Sequence, residues 1–251
     1  MLLYNKKVGD MLKNKIIKYS LLIFFIGLII IGIYNILQET NEYKEANDSY
    51  EELEKYIEEE NRIDFPKIDF KSLKEINKDV IGWIYSDGMD INYPIVQGSD
   101  NDYYLKHLID GTYNDSGSIF LDYRNKYNFN NKHTIIYGHN MLDGSMFTNL
   151  TRYKDQSFYD NNKTYLIMTP YENFVIEVFS GYVASVKEDA WELNFDSDEE
   201  FNNWIKTIKE KSIFESSLIP KIGDKLVTLS TCSYEFDNAR FVLHGILRKE
   251  V

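Results

Sequence analysis

The sequence predicts a mainly β domain, its sheet closed as a barrel or a sandwich, carried on one N-terminal transmembrane helix. Three observations predict it. A run of 20 uncharged, mostly apolar residues, Tyr19 to Gln38, stands near the N-terminus. Beyond Val80 the chain breaks into short β-rich runs separated by Gly, Asp, Asn and Pro clusters. The composition, 43% hydrophobic and 15% aromatic with 20 Tyr, supplies a core and excludes a disordered chain. A length of 251 residues suits one substantial domain with an appendage.

Residues 1–18 carry Lys6, Lys7, Lys13, Lys15 and Lys18 against Asp10, whereas Glu39, Glu42 and Glu45 follow the apolar run. By the positive-inside rule, 1–18 are cytoplasmic, 19–38 span the membrane and the rest is outside. As a helix, 19–38 is about 30 Å long, the thickness of a bilayer core. A cleaved signal peptide is the competing reading, but Asn35-Ile36-Leu37-Gln38 offers no small-x-small cleavage site.

Residues 39–79 form an N-terminal helical segment. From Asn41 to Asn61, Tyr43, Ala46, Tyr50, Leu53 and Ile57 recur every three or four positions, which predicts an amphipathic helix ended before Pro66. Its stripe covers about two to three heptads, so it is expected to pack on the domain behind it rather than in a coiled coil. Ser72 and Glu75, spaced as a capping box, suggest a short second helix to Asn77.

Residues 80–251 hold the β domain. Its expected strands are Ile81 to Tyr85, Ile91 to Val96, Ser118 to Leu121, Thr134 to Tyr137, Tyr165 to Thr169, Phe174 to Val186, Leu226 to Thr231 and Phe241 to Leu247. Between the sixth and seventh, Phe201, Trp204, Ile205 and Ile208 mark a helix that Ser197 and Glu200 start.

The charge balance narrows the partners. With 28 Lys+Arg against 40 Asp+Glu the net charge is −12; residues 1–37 carry five Lys and one Asp, or +4, so the remainder carries −16. An acidic exterior domain lacks the basic stripe needed to grip nucleic acid or anionic lipid, and favours a peptide, sugar or cell-wall partner. One cysteine, Cys232, permits no intramolecular disulfide and no thiolate metal cluster. Without a Gly-rich phosphate loop or a metal-ligand cluster, no cofactor and no metal are expected.

Chemistry then rests on Cys232. Strand alternation puts Val227, Leu229 and Thr231 on an apolar face and Thr228, Ser230 and Cys232 on a polar one. A thiol at a strand end on a polar face is accessible to act as a nucleophile; partial burial without a role is the other reading. Of the four histidines, His139 lies just past Gly138 where a strand gives way to a loop, a usual place for a catalytic group. His133 at the start of that strand could face solvent, and it, His107 and His244 all read as structural. Arg240 opens the last strand after the loop from Ser233, which can return its guanidinium to the thiol to stabilise an oxyanion.

Thr228-Leu229-Ser230-Thr231-Cys232, with Arg240 eight residues on and Tyr137-Gly138-His139-Asn140 upstream, resembles the sortase family of Gram-positive surface transpeptidases. The N-terminal anchor, the helix before the β domain, Gly117-Ser118-Ile119-Phe120-Leu121-Asp122 and the helix between strands six and seven resemble class B in particular. The resemblance implies an eight-stranded sortase barrel. It also implies that Cys232 attacks the Thr carbonyl of a sorting motif to give a thioacyl enzyme, that His139 is the general acid and base, and that Arg240 holds the carbonyl and its oxyanion. A peptidoglycan amine would resolve the intermediate and leave a surface protein on the cell wall. Ser230 and Thr231 of the motif, with Asn101 and Leu105, would contact the peptide, and the helix around Trp204 would wall the other side of its groove. The acidic residue that follows the cysteine in some relatives is Ser233 here.

Two other classes fit the composition: a cell-wall cysteine hydrolase, and a non-catalytic membrane-anchored adhesin or sensor. The hydrolases with Cys before His have the reverse order to His139 and Cys232, and the chymotrypsin-like type has Gly where Thr231 and Ser233 flank the cysteine.

Overall fold

The computed structural model describes residues 2–58 and 65–250, in two compact units, Met1–Glu45 and Ala46–Val251. Helix α1 (Leu2–Leu53) supplies the first unit. There the apolar run has mean hydropathy 2.5 and exposes its large side chains from Tyr19 to Leu37, so this helix is long and apolar enough to cross a membrane.

In the second unit Ala46, Tyr50 and Leu53 are buried, and the Tyr50 hydroxyl donates to the Gly117 carbonyl at 2.6 Å. The expected stripe therefore packs on the domain. The helix stops earlier than its periodicity implies. A 3₁₀ turn follows at Glu54–Tyr56, then β1 (Ile57–Glu58) pairs with β2 (Lys67–Ile68). Ile57 keeps the spacing of the stripe, but its backbone is taken by Ile68 across the ribbon; the predicted helical residues 59–61 lie outside the described ones. Helix α2 (Phe70–Ile76) also begins one turn before the predicted cap. Asp69, not Ser72, is its N-cap: the carboxylate accepts from the Ser72 backbone N–H at 3.1 Å and from its hydroxyl at 2.7 Å.

Eight strands close the barrel: β3 (Val80–Ser86), β4 (Ile91–Val96), β5 (Ile119–Leu121), β6 (His133–Tyr137), β7 (Thr164–Met168), β8 (Asn173–Ser185), β9 (Lys225–Cys232) and β10 (Ala239–Lys249). Their order is β10-β8-β7-β3-β4-β5-β6-β9, antiparallel except for the pairs β4 with β5 and β6 with β9. A short helix, α3 (Gln156–Asn161), precedes β7. The predicted runs agree with the strands to within two residues.

Helix α4 (Asp198–Glu210) starts on Ser197, whose hydroxyl accepts from the Glu200 N–H at 3.1 Å. Phe201, Trp204, Ile205 and Ile208 pack on Phe179, Leu226, Val242 and Ile246 outside the barrel. This covers the face of β9 that alternation marks as polar. Thr228 and Ser230 are buried there, and Cys232 is half-buried at its end.

Gly117, just before β5, lies directly against the backbone of Tyr104 and Leu105. Its φ of +55° is left-handed, and a Cβ there would lie 2.5 Å from the Tyr104 carbonyl oxygen and 2.7 Å from that of Leu105. Both obstacles are backbone, so they cannot rotate away. Gly117→Ala is expected to destabilise the domain by about 2–3 kcal/mol. Urea unfolding followed by tryptophan fluorescence measures this, because Trp83, Trp191 and Trp204 all lie in the second unit.

Candidate active site

The parallel pairing of β6 with β9 brings distant residues level. Tyr137 is opposite Ser230, and the Gly138 N–H donates to the Ser230 carbonyl at 3.1 Å. Two residues beyond each member of that pair stand His139 and Cys232, at the C-terminal ends of adjacent strands about 4.8 Å apart. Asn140 fastens the two ends, its amide donating to the Cys232 carbonyl at 2.9 Å. On the other side of β9, Arg240 is directly opposite Cys232 in the antiparallel ladder with β10. The register thus sets His139, just past β6, Cys232 at the end of β9 and Arg240 on β10 in one row, with Cys232 in the middle.

The turn that returns the chain from Cys232 to Ala239 is held from within. The Ser233 N–H donates to the Ala239 carbonyl at 3.0 Å, Asn238 adopts a φ of 61°, and Glu235 bonds both the Ser233 hydroxyl and Lys154. Those two contacts hold the Glu235 carboxyl low, at about 2.

His139 is half-buried, and its Nε2 donates to the Leu105 carbonyl at 2.7 Å. That bond fixes the neutral tautomer, leaving Nδ1 as the acceptor. Burial pulls the imidazole below its ordinary range, with Lys106 and Arg240 acting the same way against Leu105 and Asp115. The ring is therefore neutral near pH 7 and able to take a proton. Arg240 donates from Nη1 to the Ala239 carbonyl at 2.9 Å, which steers the guanidinium.

A groove of about 590 Å³ runs up to this row. Asn101, Asp102, Leu105, Phe120, Arg124 and Tyr137 form one wall, Val186 to Asn194 the other, and Ser230 and Arg240 the end. Of the four residues expected to contact peptide, Asn101, Leu105 and Ser230 line it. Thr231 does not: it alternates onto the barrel-facing side of β9 with Val227 and Leu229 and is 2% exposed. The far wall differs from the sequence reading as well. It is the connection after β8 rather than the helix around Trp204, which lies beneath, its indole N–H donating to the Asp189 carbonyl at 2.9 Å. Trp191 bonds Ser230 Oγ at 3.3 Å from this wall. Periodicity around Trp204 marked a buried helix face, and nothing in the spacing of Trp191 marks a groove residue.

His133 is buried and hydrogen-bonded, which agrees with its structural reading and not with a solvent-facing one. Its Nδ1–H donates to the Glu192 carbonyl at 2.6 Å, so Nε2 accepts from the Thr228 hydroxyl at 2.6 Å, whose oxygen accepts from His244 Nδ1 at 2.7 Å. The groove wall folds over the start of β6, a long-range contact that local pattern does not carry. Among the described residues His244 Nε2 has no hydrogen-bond partner, and burial holds this ring well below the ordinary range. Burial likewise lowers His133, to about 4. His107 stacks on Tyr103 at 4.0 Å between ring centres and bonds its carbonyl.

The two buried rings set an acid limit on stability. Their folded-state values lie below the value of about 6.5 in the unfolded chain, so their contribution is complete above pH 6.5 and is lost as the pH falls. For each ring the loss is about 1.4 kcal/mol per pH unit below 6.5, until the folded-state value is reached. For His133 this amounts to roughly 3 kcal/mol by pH 4. Urea midpoints at pH 7.5, 6 and 5 are expected to fall steadily, and His133→Gln is expected to flatten the slope.

A family model, the sortase domain, matches residues 84–248. The chain is 37% identical over 181 residues to sortase B of Listeria monocytogenes, covering 71% of this chain and 74% of that protein. It is 34% identical over 212 residues to sortase B of Staphylococcus aureus, covering 84% and 87%. The solved Staphylococcus aureus sortase B–substrate complex superposes with a TM-score of 0.75 at 31% identity, over 84% of this chain and 99% of that one.

Proposed function

The chain belongs to the sortase family, class B, and is a cysteine transpeptidase; from that premise we propose that Cys232, His139 and Arg240 carry its reaction on a sorting motif. The observation that supports this reading most is the level backbone placement of His139 just past β6, Cys232 at the end of β9 and Arg240 opposite it on β10, beside a groove that Arg240 lines.

In the first half-reaction, His139 Nδ1 takes the thiol proton and Cys232 Sγ adds to the carbonyl carbon of the motif's Thr. Arg240 donates to the oxygen, which carries the charge in the tetrahedral state. On collapse the C–N bond breaks, the imidazolium protonates the departing amine, and a thioester remains on Cys232. In the second, His139 takes a proton from an incoming cell-wall amine, which attacks the thioester. The C–S bond then breaks, and the imidazolium returns a proton to Cys232 Sγ, restoring the thiol and the neutral ring. The neutral resting state of His139 suits both transfers.

Residues 1–18 are assigned to the cytoplasm, 19–38 to the membrane, 39–79 to a helical spacer and 80–251 to the catalytic barrel outside. The lysines before the apolar run and the glutamates after it support this orientation. The clients would be surface proteins bearing the motif, and the acceptor a peptidoglycan precursor amine. Mass spectrometry of the full chain in detergent with a panel of motif peptides, with and without an amine acceptor, tests the assignment. A thioacyl adduct and an amine-linked product are expected. Cleavage by water at the same rate whatever the amine would favour a hydrolase.

A further inference from the structure

The near wall of the groove is organised by a side chain that is itself hidden from it. Asp122, just after β5, is 0% exposed, yet three groove-lining residues converge on its carboxylate. Arg124 grips it with two donors, Nε to Oδ1 at 2.9 Å and Nη2 to Oδ2 at 2.8 Å. The Tyr137 hydroxyl donates to Oδ2 at 2.9 Å, and the Asn101 amide donates to the same oxygen at 3.0 Å.

The surrounding backbone is held to match. Asn101 Oδ1 accepts from the Tyr123 N–H at 3.0 Å, so both ends of that amide are engaged in the wall. The Gln97 side-chain amide donates to the Asp122 and Asn125 carbonyls, at 3.0 and 2.8 Å. A buried carboxylate is tolerated only when its charge and lone pairs are answered, and here residues from three separate segments answer them. Two of these stand beside the row of candidate catalytic groups: Tyr137 lies two residues before His139, and Asn101 precedes Leu105, whose carbonyl holds the imidazole.

We propose that Asp122 is a positioning residue of the peptide groove, fixing Asn101, Arg124 and Tyr137 as one preorganised wall whose outer surface is the Arg124 guanidinium. Arg124 is 43% exposed on its side chain and its charge is matched by Asp122. The wall therefore offers N–H donors without a net positive charge, which suits peptide and side-chain carbonyls rather than a carboxylate. This rests on the groove being the peptide site proposed above.

Asp122→Asn keeps the shape but removes the charge and presents an amide group to donors. In the full chain in detergent, KM for a motif peptide is expected to rise about tenfold, with kcat changed less than threefold. Backbone amide exchange at Tyr123 and Arg124 should quicken at least tenfold, while exchange in β9 stays as in the parent. If Asp122→Asn does not fold, Tyr137→Phe removes one spoke and should raise KM about threefold, with the same acceleration at Tyr123. Unchanged exchange at Tyr123 in the folded variant overturns the positioning role whatever the activity. Unchanged KM in a folded variant with quickened exchange overturns its part in peptide binding. Quickened exchange in the variant beside a parent enzyme that acylates no peptide would leave the wall standing and instead overturn the proposed function.

Discussion

Cys232→Ala is expected to abolish thioacyl adduct and transpeptidation product together, a loss on the order of 10⁴-fold or more in kcat. The only thiol in the chain is lost, so no second sulfur can take its place. The loss is expected without unfolding. Cys232 is half-buried at a strand end, its carbonyl still accepts from Asn140, and its ladder to Arg240 is backbone. Cys232→Ser should be almost as inactive, because a hydroxyl beside a neutral imidazole is a far weaker nucleophile than a thiol. Intact-mass spectra after incubation with the reactive motif peptide check both variants, with the parent beside them. An adduct on the alanine variant would remove Cys232 from the chemistry. Peptide binding that survives in it, seen as a change in Trp191 fluorescence, would show the groove intact.

Arg240→Lys is expected to lower kcat/KM by about 10²–10³-fold, equivalent to roughly 3–4 kcal/mol of transition-state stabilisation. The guanidinium comes from a position directly across from Cys232 and is steered by the Ala239 carbonyl. A lysine keeps the charge but not the planar fork, and its ammonium holds water more strongly. Two measurements separate an oxyanion role from a role in forming thiolate. If Arg240 acts on the oxyanion, alkylation of Cys232 by iodoacetamide should change less than about threefold while peptide turnover collapses. Equal losses in both would move its action to the thiol, and turnover within threefold of the parent would remove it from the mechanism.

Several parts of the site were legible because their determinants are local. Cys232 and Arg240 bracket one tight return of the chain, so their pairing across β9 and β10 follows from the length of the turn. Ser197 and the Phe201, Trp204, Ile205, Ile208 spacing marked α4 because a cap and a helical face are written within one segment. The Asp69 cap is not legible locally, since Ser72 and Glu75 offer an equally good pattern; the carboxylate prevails by taking both the backbone and the hydroxyl of Ser72. The stripe through Ile57 over-extended α1 for a similar reason, because Ile57 keeps its spacing while its backbone pairs with Ile68.

Length, charge asymmetry and hydropathy alternation, read from the sequence alone, determined the apolar helix, the eight strand segments, the acidic domain and the nucleophile candidate. Only the tertiary structure decided what lies next to what. The parallel pairing of β6 with β9 sets His139 beside Cys232 across 92 intervening residues, and no feature local to either strand encodes that choice. Burial of His133, the displacement of Thr231 from the groove and the convergence on Asp122 have the same origin. Periodicity records which face of a segment is apolar. Closure of the barrel and folding of the 186–194 wall over it decide which polar side chains meet, because a buried donor or charge is stable only where distant segments answer it.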